Sequence, residues 1–232
     1  MALHLKLTLS KSQTNKENQV ATVWLVDGRT VSDQELARHF DWLNVDEVAR
    51  YRKFVRPERQ RQFLIGRILL RLAVAELLHI DPSSISLTER AGNAPVLMMP
   101  APVPGFSLSH SGSWVACAIS SNAVLGLDIE MLDNSRDFVP LSEHAFDLAE
   151  QKWIKSLPSI ECAAAFYFLW SQKEASYKFR SNSGDEIDSI LHCVSLPHPQ
   201  LSVVLASAYP WTIMPEIKHV QLRNGLPPFP KG

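Results

Sequence analysis

The segment Trp170-Ser171-Gln172-Lys173-Glu174-Ala175-Ser176-Tyr177-Lys178 predicts a helix that carries three chemically different side chains on one face. Trp170, Glu174 and Lys178 are spaced four residues apart, and residues at this spacing lie one above another along a helix. Taken alone, the segment is also compatible with a surface helix in which Glu174 and Lys178 form an ordinary ion pair. Two segments closer to the N-terminus bear on the choice between these interpretations.

The segment Gly126-Leu127-Asp128-Ile129-Glu130 is predicted to be a strand with two carboxylates on one side. Alternate side chains of a strand share a face, so Leu127 and Ile129 point into the core, whereas Asp128 and Glu130 point the other way. Two carboxylates on one face need a cation or basic neighbours to remain ionised together. Because magnesium is often held by one or two carboxylates and substrate phosphates, a metal site is one interpretation. A solvated acidic face on an edge strand is the other.

The segment Ser107-Leu108-Ser109-His110-Ser111-Gly112 is predicted to interrupt a short strand at 106–108 with a turn. A serine nucleophile with His110 as its base is a poor interpretation, because no G-x-S-x-G elbow is present and adjacent Ser and His side chains cannot easily face each other. Two interpretations stay open: hydroxyls and an imidazole that bind a phosphate, or a turn whose hydroxyls bond their own backbone.

A basic cluster precedes and enters the longest predicted helix of the first half. Its members are Arg50, Arg52, Lys53, Arg56, Arg59 and Arg61. Arginine suits bidentate contact with phosphate, although a solvated helical face explains such a cluster equally well.

The bulk properties indicate a globular protein with one large or two small domains. The chain has 232 residues and a net charge of -1, which gives no indication of nucleic-acid binding. Its three cysteines form no CxxC pair and are interpreted as small buried hydrophobes in a reducing compartment. We find no signal peptide and no apolar run long enough to span a membrane, so the sequence predicts a cytoplasmic protein.

The order of predicted elements repeats once along the chain. Helices are predicted at 32–39, 45–54, 58–79, 141–157 and 160–179, and strands at 1–9, 20–26, 85–88, 106–108, 114–120, 125–130, 187–194, 201–206 and 219–222. The segment 92–105 is predicted to be loop and 224–232 a loose tail. Each half has a long helix followed by strands, which suggests an internal duplication with halves at 1–122 and 123–232.

The order Ser-His-Ser, then D-x-E, then W-x-x-K-E-A-x-x-K resembles the surfactin-type 4'-phosphopantetheinyl transferases. The resemblance is best in 106–130 and 166–179 and weaker in 50–72. It implies an α+β fold built as a pseudo-dimer of two similar halves, with coenzyme A in the cleft between them. It also implies a holo-acyl-carrier-protein synthase, which moves the phosphopantetheine arm of coenzyme A to a serine of an apo acyl, peptidyl or aryl carrier protein and releases adenosine 3',5'-bisphosphate.

Matched by position, the resemblance assigns a role to each residue of the constellation. Asp128, Glu130 and Glu174 would hold magnesium on the pyrophosphate. Glu174, or a water on the metal, would accept the proton of the carrier serine. Lys178 would contact coenzyme A and stabilise the charge on the bridging oxygen as the bond breaks.

Four further residues match positions that bind the nucleotide end of coenzyme A. Ser109 and His110 would contact it, and Arg50 and Arg61 would bind the 3'-phosphate together with His110. The sequence departs from the family in one place, because the usual Gly-Lys-Pro reads Gly92-Asn93-Ala94-Pro95 and lacks the lysine. Arg90 is a candidate replacement.

Two other functions use the same residues. A magnesium-dependent phosphohydrolase or nuclease would employ the same carboxylates, and a non-catalytic module would bind coenzyme A without turnover. The sequence predicts no nucleic-acid or membrane partner, and a monomer, since a two-halved chain can complete its own site. The carrier and its pathway are not encoded in any recognised motif, although family members of this size often serve secondary metabolism. Candidate docking regions are the proline-rich loop and the segment after Asp133.

Overall fold

The computed structural model describes residues 20–90, 92–184 and 190–222. The helices in these segments are α1 (Asp33–Arg38), α2 (Val45–Lys53), α3 (Pro57–Leu78), α4 (Phe138–Ala145), α5 (Leu148–Ser156) and α6 (Ser159–Ser183). The strands are β1 (Thr22–Asp27), β2 (Ser86–Thr88), β3 (Val96–Met98), β4 (Gly105–Ser111), β5 (Trp114–Ser120), β6 (Gly126–Met131), β7 (His192–Ser195), β8 (Leu201–Ser207) and β9 (Glu216–His219). The predicted strand at 1–9, the tail at 224–232 and most of 187–190 lie outside the described residues.

The two halves of the chain share one topology, so the α+β pseudo-dimer is confirmed. In the first half β1 leads to the long helix α3 and then to β4 and β5, and β5 pairs antiparallel with both β1 and β4. In the second half β6 leads to the long helix α6 and then to β7 and β8, and β8 pairs antiparallel with both β6 and β7. The final strand, β9, returns to the first sheet and pairs parallel with β1. The division at residue 122 stays a prediction.

The core consists of two sheets packed face to face between the two long helices. Strand β5 is buried along its whole length, as its apolar sequence predicts. One of its faces packs with α3, and its other face, through Ala116 and Ala118, packs on Leu127 and Ile129 of β6. On the far side of the second sheet, Phe179 of α6 packs on β8. Small alanines at the sheet contact allow close approach of the two backbones.

Capping residues explain where several helices begin. Ser32 and Glu35 form the predicted capping box at the start of α1, with Ser32 Oγ 3.2 Å from the amide of Glu35. The single helix predicted at 141–157 is wrong. Phe146 has extended backbone angles and ends α4, and the Asp147 carboxylate starts α5 by accepting from the amides of Ala149 and Glu150. The capping box formed by Asp147 and Glu150 therefore divides the predicted helix in two.

Two strand predictions and one loop prediction also differ from the structure. Strand β4 is continuous, because its pairing with β5 runs from Gly105 to Ser111, and the turn comes afterwards at Gly112 with a φ of 55°. The predicted loop at 92–105 contains β3, which pairs with β2. The last strand is Glu216–His219 rather than 219–222. None of the described helices combines the length and the apolar character needed to cross a membrane.

Candidate active site

A cleft of about 460 Å³ is lined by residues of α2, α3, β4, β6 and α6. Seven of the eight site residues predicted from the sequence line it: Arg50, Ser109, His110, Asp128, Glu130, Glu174 and Lys178. Residues that lie as far apart in the sequence as Arg50 and Lys178 therefore line the same cavity. Arg61 is the predicted residue that the structure does not bring there.

The predicted face of α6 lies against β6. Trp170 Nε1 donates to Glu130 Oε1 at 3.1 Å, and Lys178 Nζ donates to Asp128 Oδ1 at 2.8 Å. Glu174 lies between these contacts along the helix, and its side chain makes no hydrogen bond or ion pair with any described residue. Lys178 therefore pairs with β6 and not with Glu174, so the surface-pair interpretation of the helix is wrong.

Gly126 permits the close approach of α6 and β6. A Cβ atom at this position would lie 1.9 Å from the carbonyl oxygen of Ala175 and 2.5 Å from the amide nitrogen of Phe179. Both neighbours are backbone atoms of a helix and cannot rotate away. The helix face with Glu174 and Lys178 can reach the two carboxylates because position 126 has no side chain.

We expect Gly126→Ala to destabilise the protein by about 1–3 kcal/mol or more, since α6 must shift to admit the methyl group. Gly66→Ala is the matched control, because its Cβ would meet only Val115 Cγ1 at an ordinary 3.7 Å. Urea unfolding of both variants checks this. Equal stabilities of the two variants would contradict the close-packing argument.

The carboxylates of β6 differ in their surroundings. The Asp128 side chain is 5% exposed, and its Oδ2 atom is buried without a hydrogen-bond partner. Burial raises the pKa of Glu130, and the nearby charge of Asp128 raises it further, while hydrogen bonds from Ser111 and Trp170 and the charge of Lys178 oppose the rise. Both groups sit where an added cation would lower their free energy.

The donor chemistry of the site fits a hard divalent cation. Asp128, Glu130 and Glu174 supply only oxygen atoms, and the partnerless Oδ2 of Asp128 leaves one buried acceptor open. As placed, however, the described side chains include no group of three His, Cys, Asp or Glu residues close enough together to hold a metal.

Ser109 and His110 lie on opposite faces of β4, as expected for neighbours in a continuous strand. Ser109 is buried and faces β6, where its hydroxyl donates to Asp128 Oδ1 at 3.1 Å and accepts from Lys178 Nζ at 2.9 Å. His110 faces α3, and Arg59 Nη1 lies 2.6 Å from its Nε2 atom. A hydroxyl beside Lys178 and an imidazole beside Arg59 do not form a nucleophile and base pair.

His110 is a neutral acceptor at neutral pH. Desolvation by the surrounding protein lowers its pKa from 6.5 to about 4, and the positive charges of Arg59 and Lys178 contribute, although the residue as a whole reaches solvent. The unfolded chain binds this proton near pH 6.5 and the folded chain only near pH 4. The stability that the neutral ring contributes is therefore lost as the pH falls from about 6.5 to about 4.

We expect the His110 ring to titrate well below pH 6 when followed by NMR, and Arg59→Ala to raise its midpoint because one adjacent positive charge is removed. A His110 midpoint near 6.5 in the unmodified protein would refute the assignment of a neutral ring.

Arg61 points away from the cleft and is held by backbone groups. Its guanidinium donates to the carbonyl oxygens of Gly28 and Val31 and pairs with Asp33. The cleft-lining residues of α3 are Arg59, Gln62, Phe63, Gly66 and Arg67, which recur every three or four residues. Position 61 lies between these and falls on another face of the helix. The same helical periodicity, applied to the arginines of α3, identifies Arg59 and Arg67 as residues that line the cleft. The match to the family motif did not include them.

Two arginines that line the cleft, Arg50 and Arg67, form ion pairs with the same carboxylate, Glu89. Glu89 accepts from Arg50 and, at 2.6 Å, from Arg67 Nη2. Arg67 also stacks over Phe63, with its guanidinium carbon 4.4 Å from the ring centroid. Arg90, the candidate replacement for the missing lysine, donates to Ala94 O and is absent from the cleft lining. Arg67 is buried and does line the cleft.

Comparison with known proteins connects this cleft with one family. The model described as "4'-phosphopantetheinyl transferase, N-terminal" matches residues 30–122, and that of the "4'-phosphopantetheinyl transferase superfamily" matches residues 124–211. The chain is 29% identical to 4'-phosphopantetheinyl transferase HetI of Nostoc sp., over 74% of this chain and 72% of that protein. It is 30% identical to 4'-phosphopantetheinyl transferase AcpT of Salmonella typhimurium, over 68% of this chain and 82% of that protein.

A third relative is 4'-phosphopantetheinyl transferase Sfp of Bacillus subtilis, which is 29% identical. The match covers 65% of this chain and 65% of Sfp, slightly less than two thirds of that protein's length.

Proposed function

Because the chain belongs to the 4'-phosphopantetheinyl transferase superfamily, we propose that it transfers the phosphopantetheine arm of coenzyme A to a serine of an apo carrier protein, releasing adenosine 3',5'-bisphosphate. The observation that carries the proposal is the meeting of Lys178, Asp128 and Glu130 in a cleft whose α3 side presents arginines. Cations there suit phosphates, and the carboxylates suit a metal on the pyrophosphate.

Asp128, Glu130 and Glu174 would hold Mg²⁺, which when bound neutralises the pyrophosphate and stabilises the leaving group. Lys178 presents its ammonium beside Asp128, where it can donate to the oxygen that bridges the two phosphorus atoms. Glu174 has no partner among the described residues and is free to accept a proton. Positioning and charge neutralisation of this kind account for most catalysis in phosphoryl transfer.

The transfer step needs no reactant other than coenzyme A and the carrier serine. The carrier serine oxygen forms a bond to the phosphorus nearer the pantetheine, and its proton passes to Glu174. The bond from that phosphorus to the bridging oxygen breaks, and the electron pair leaves on adenosine 3',5'-bisphosphate. Lys178 stabilises the developing negative charge on that oxygen.

The nucleotide end of coenzyme A is assigned to the α3 side of the cleft. Arg50 and His110 keep the roles that the sequence suggests, and Arg59 takes the place that Arg61 was expected to fill. Ser109 lies deeper, against Asp128 and Lys178, so its contact would be nearer the pyrophosphate.

The reaction class is tested by the intact mass of a purified apo carrier protein incubated with this chain, coenzyme A and magnesium, with an EDTA control. We expect a metal-dependent gain of one phosphopantetheine unit. Release of phosphate from coenzyme A without carrier modification would instead support the phosphohydrolase, which the names of the relatives do not favour. Coenzyme A binding without either product would support the non-catalytic module.

The proposal extends to the carrier protein, the oligomeric state, the pathway and the cellular location. An acyl or peptidyl carrier protein is the proposed acceptor, the chain is proposed to act as a monomer, and its pathway is proposed to lie in secondary metabolism. Cys117, Cys162 and Cys193 are all free thiols, in keeping with the proposed cytoplasmic location.

A further inference from the structure

Three serines of β4 connect the edges of the two sheets through their side chains. Ser107 Oγ accepts from the amide of Leu127 at 2.9 Å, Ser109 Oγ from Ile129 at 3.2 Å, and Ser111 Oγ from Met131 at 2.9 Å. The hydroxyls thus replace the carbonyl oxygens of a neighbouring strand. They satisfy alternate amides along the edge of β6 that faces away from β8.

Two of these hydroxyls also donate to the carboxylates of β6. Ser111 Oγ donates to Glu130 Oε2 at 2.8 Å, and Ser109 Oγ donates to Asp128 Oδ1 at 3.1 Å. A serine hydroxyl has one hydrogen to donate, and the incoming amide fixes the orientation of its oxygen. Ser107 makes the same amide contact but has no carboxylate partner among the described residues, which makes it a natural comparison.

Glu130 is held by both oxygens. Ser111 binds Oε2 from β4, and Trp170 Nε1 binds Oε1 from α6. A glutamate side chain has three rotatable bonds, and the two donors, which belong to different elements, restrict Glu130 to one orientation. The loss of side-chain entropy therefore occurs on folding and not when a ligand binds. Each carboxylate oxygen retains a lone pair for a further partner.

We propose that Ser111 is a positioning residue for the transfer reaction, which orients the Glu130 carboxylate beside Asp128 for a divalent cation. The inference rests on the proposed function and adds a residue to it. Ser111 itself touches no substrate group in this role and acts only through Glu130. Outer partners of this kind typically contribute 10–100-fold to metal affinity or activity.

The test compares Ser111→Ala with Ser107→Ala, since each variant removes one hydroxyl-to-amide bond and only the first also removes a bond to a carboxylate. Two quantities are measured: the Mn²⁺ affinity of the chain with coenzyme A and no carrier, by electron paramagnetic resonance, and the Mg²⁺ midpoint of carrier modification. Urea unfolding reports stability separately.

We expect both alanine variants to lose similar stability, and Ser111→Ala alone to weaken Mn²⁺ binding and to raise the Mg²⁺ midpoint, each by about 10–100-fold. Ser111→Thr, which keeps the hydroxyl, should restore most of the metal affinity. Trp170→Phe removes the donor to the other oxygen of Glu130 and should shift the affinity in the same direction. It serves as the second variant if Ser111→Ala does not fold.

Equal metal affinities in the two alanine variants, or an unchanged affinity in Trp170→Phe when Ser111→Ala does not fold, would overturn the positioning role. Absence of Mn²⁺ binding in the unmodified protein would overturn it as well. Failure of the proposed function is a different result: the unmodified protein would bind Mn²⁺ with coenzyme A yet modify no carrier, and the Mn²⁺ comparison would still decide the role of Ser111.

Discussion

Asp128→Asn is expected to lower carrier modification by about 10²–10³-fold, measured as the initial rate under saturating coenzyme A and magnesium. The substitution keeps the size of the side chain and removes the charge of a carboxylate that is only 5% exposed and lies 2.8 Å from the Lys178 ammonium. It also removes the buried oxygen that is open to a cation, since asparagine has one oxygen fewer. The loss should persist at high magnesium, because charge as well as affinity has changed.

Asp133→Asn is the control for this experiment. Asp133 follows the same strand, but its carboxylate is well exposed, pairs with Arg136 and does not line the cleft. We expect its rate to remain close to that of the unmodified protein. A comparable loss in both variants would show that the effect of Asp128 is not specific to the cleft.

Glu47→Gln is expected to destabilise the protein by about 3–5 kcal/mol, measured by urea unfolding. Glu47 is fully buried, and its carboxylate accepts from Arg71 at 2.6 and 3.0 Å and from the amide of Asn44. Arg71 is itself 1% exposed, so removal of the negative charge leaves a buried guanidinium uncompensated. Arg67, which lies 3.4 Å from Glu47, loses part of its support too.

The adjacent residue supplies the comparison. Asp46→Asn removes a carboxylate from the same helical turn, but Asp46 is exposed and has no ion pair with a described residue. Its unfolding midpoint should hardly change. If Glu47→Gln were as mild as Asp46→Asn, the buried Glu47–Arg71 pair would not be a major source of stability.

The parts of the site that follow from local periodicity were predictable from the sequence. The four-residue spacing of Trp170, Glu174 and Lys178 puts them on one face, and the alternation in β6 puts Asp128 and Glu130 opposite the core. The structure brings these two faces together. Topology was also predictable in outline, because a strand, a long helix and two further strands occur twice in the same order.

The remaining features depend on contacts between distant segments. The continuity of β4 is set by pairing with β5, which overrides the turn-forming tendency of Ser-His-Ser-Gly. The orientation of Arg61 depends on the carbonyl groups of the 28–31 turn, some 30 residues earlier in the chain. The hydroxyl contacts of Ser107, Ser109 and Ser111 require β6 to lie beside β4, which no spacing in the sequence reveals.

The fusion of two like halves in one chain has a consequence for how a site can specialise. In a symmetric dimer of identical subunits, both long helices would present the same side chains, and any acidic residue gained by one would appear on the other. Here α3 and α6 occupy equivalent places in the two halves, yet α3 presents Arg59 and Arg67 to the cleft while α6 presents Glu174 and Lys178. Under the proposed function, covalent linkage would let one helix attract an anionic molecule while its counterpart acts on it.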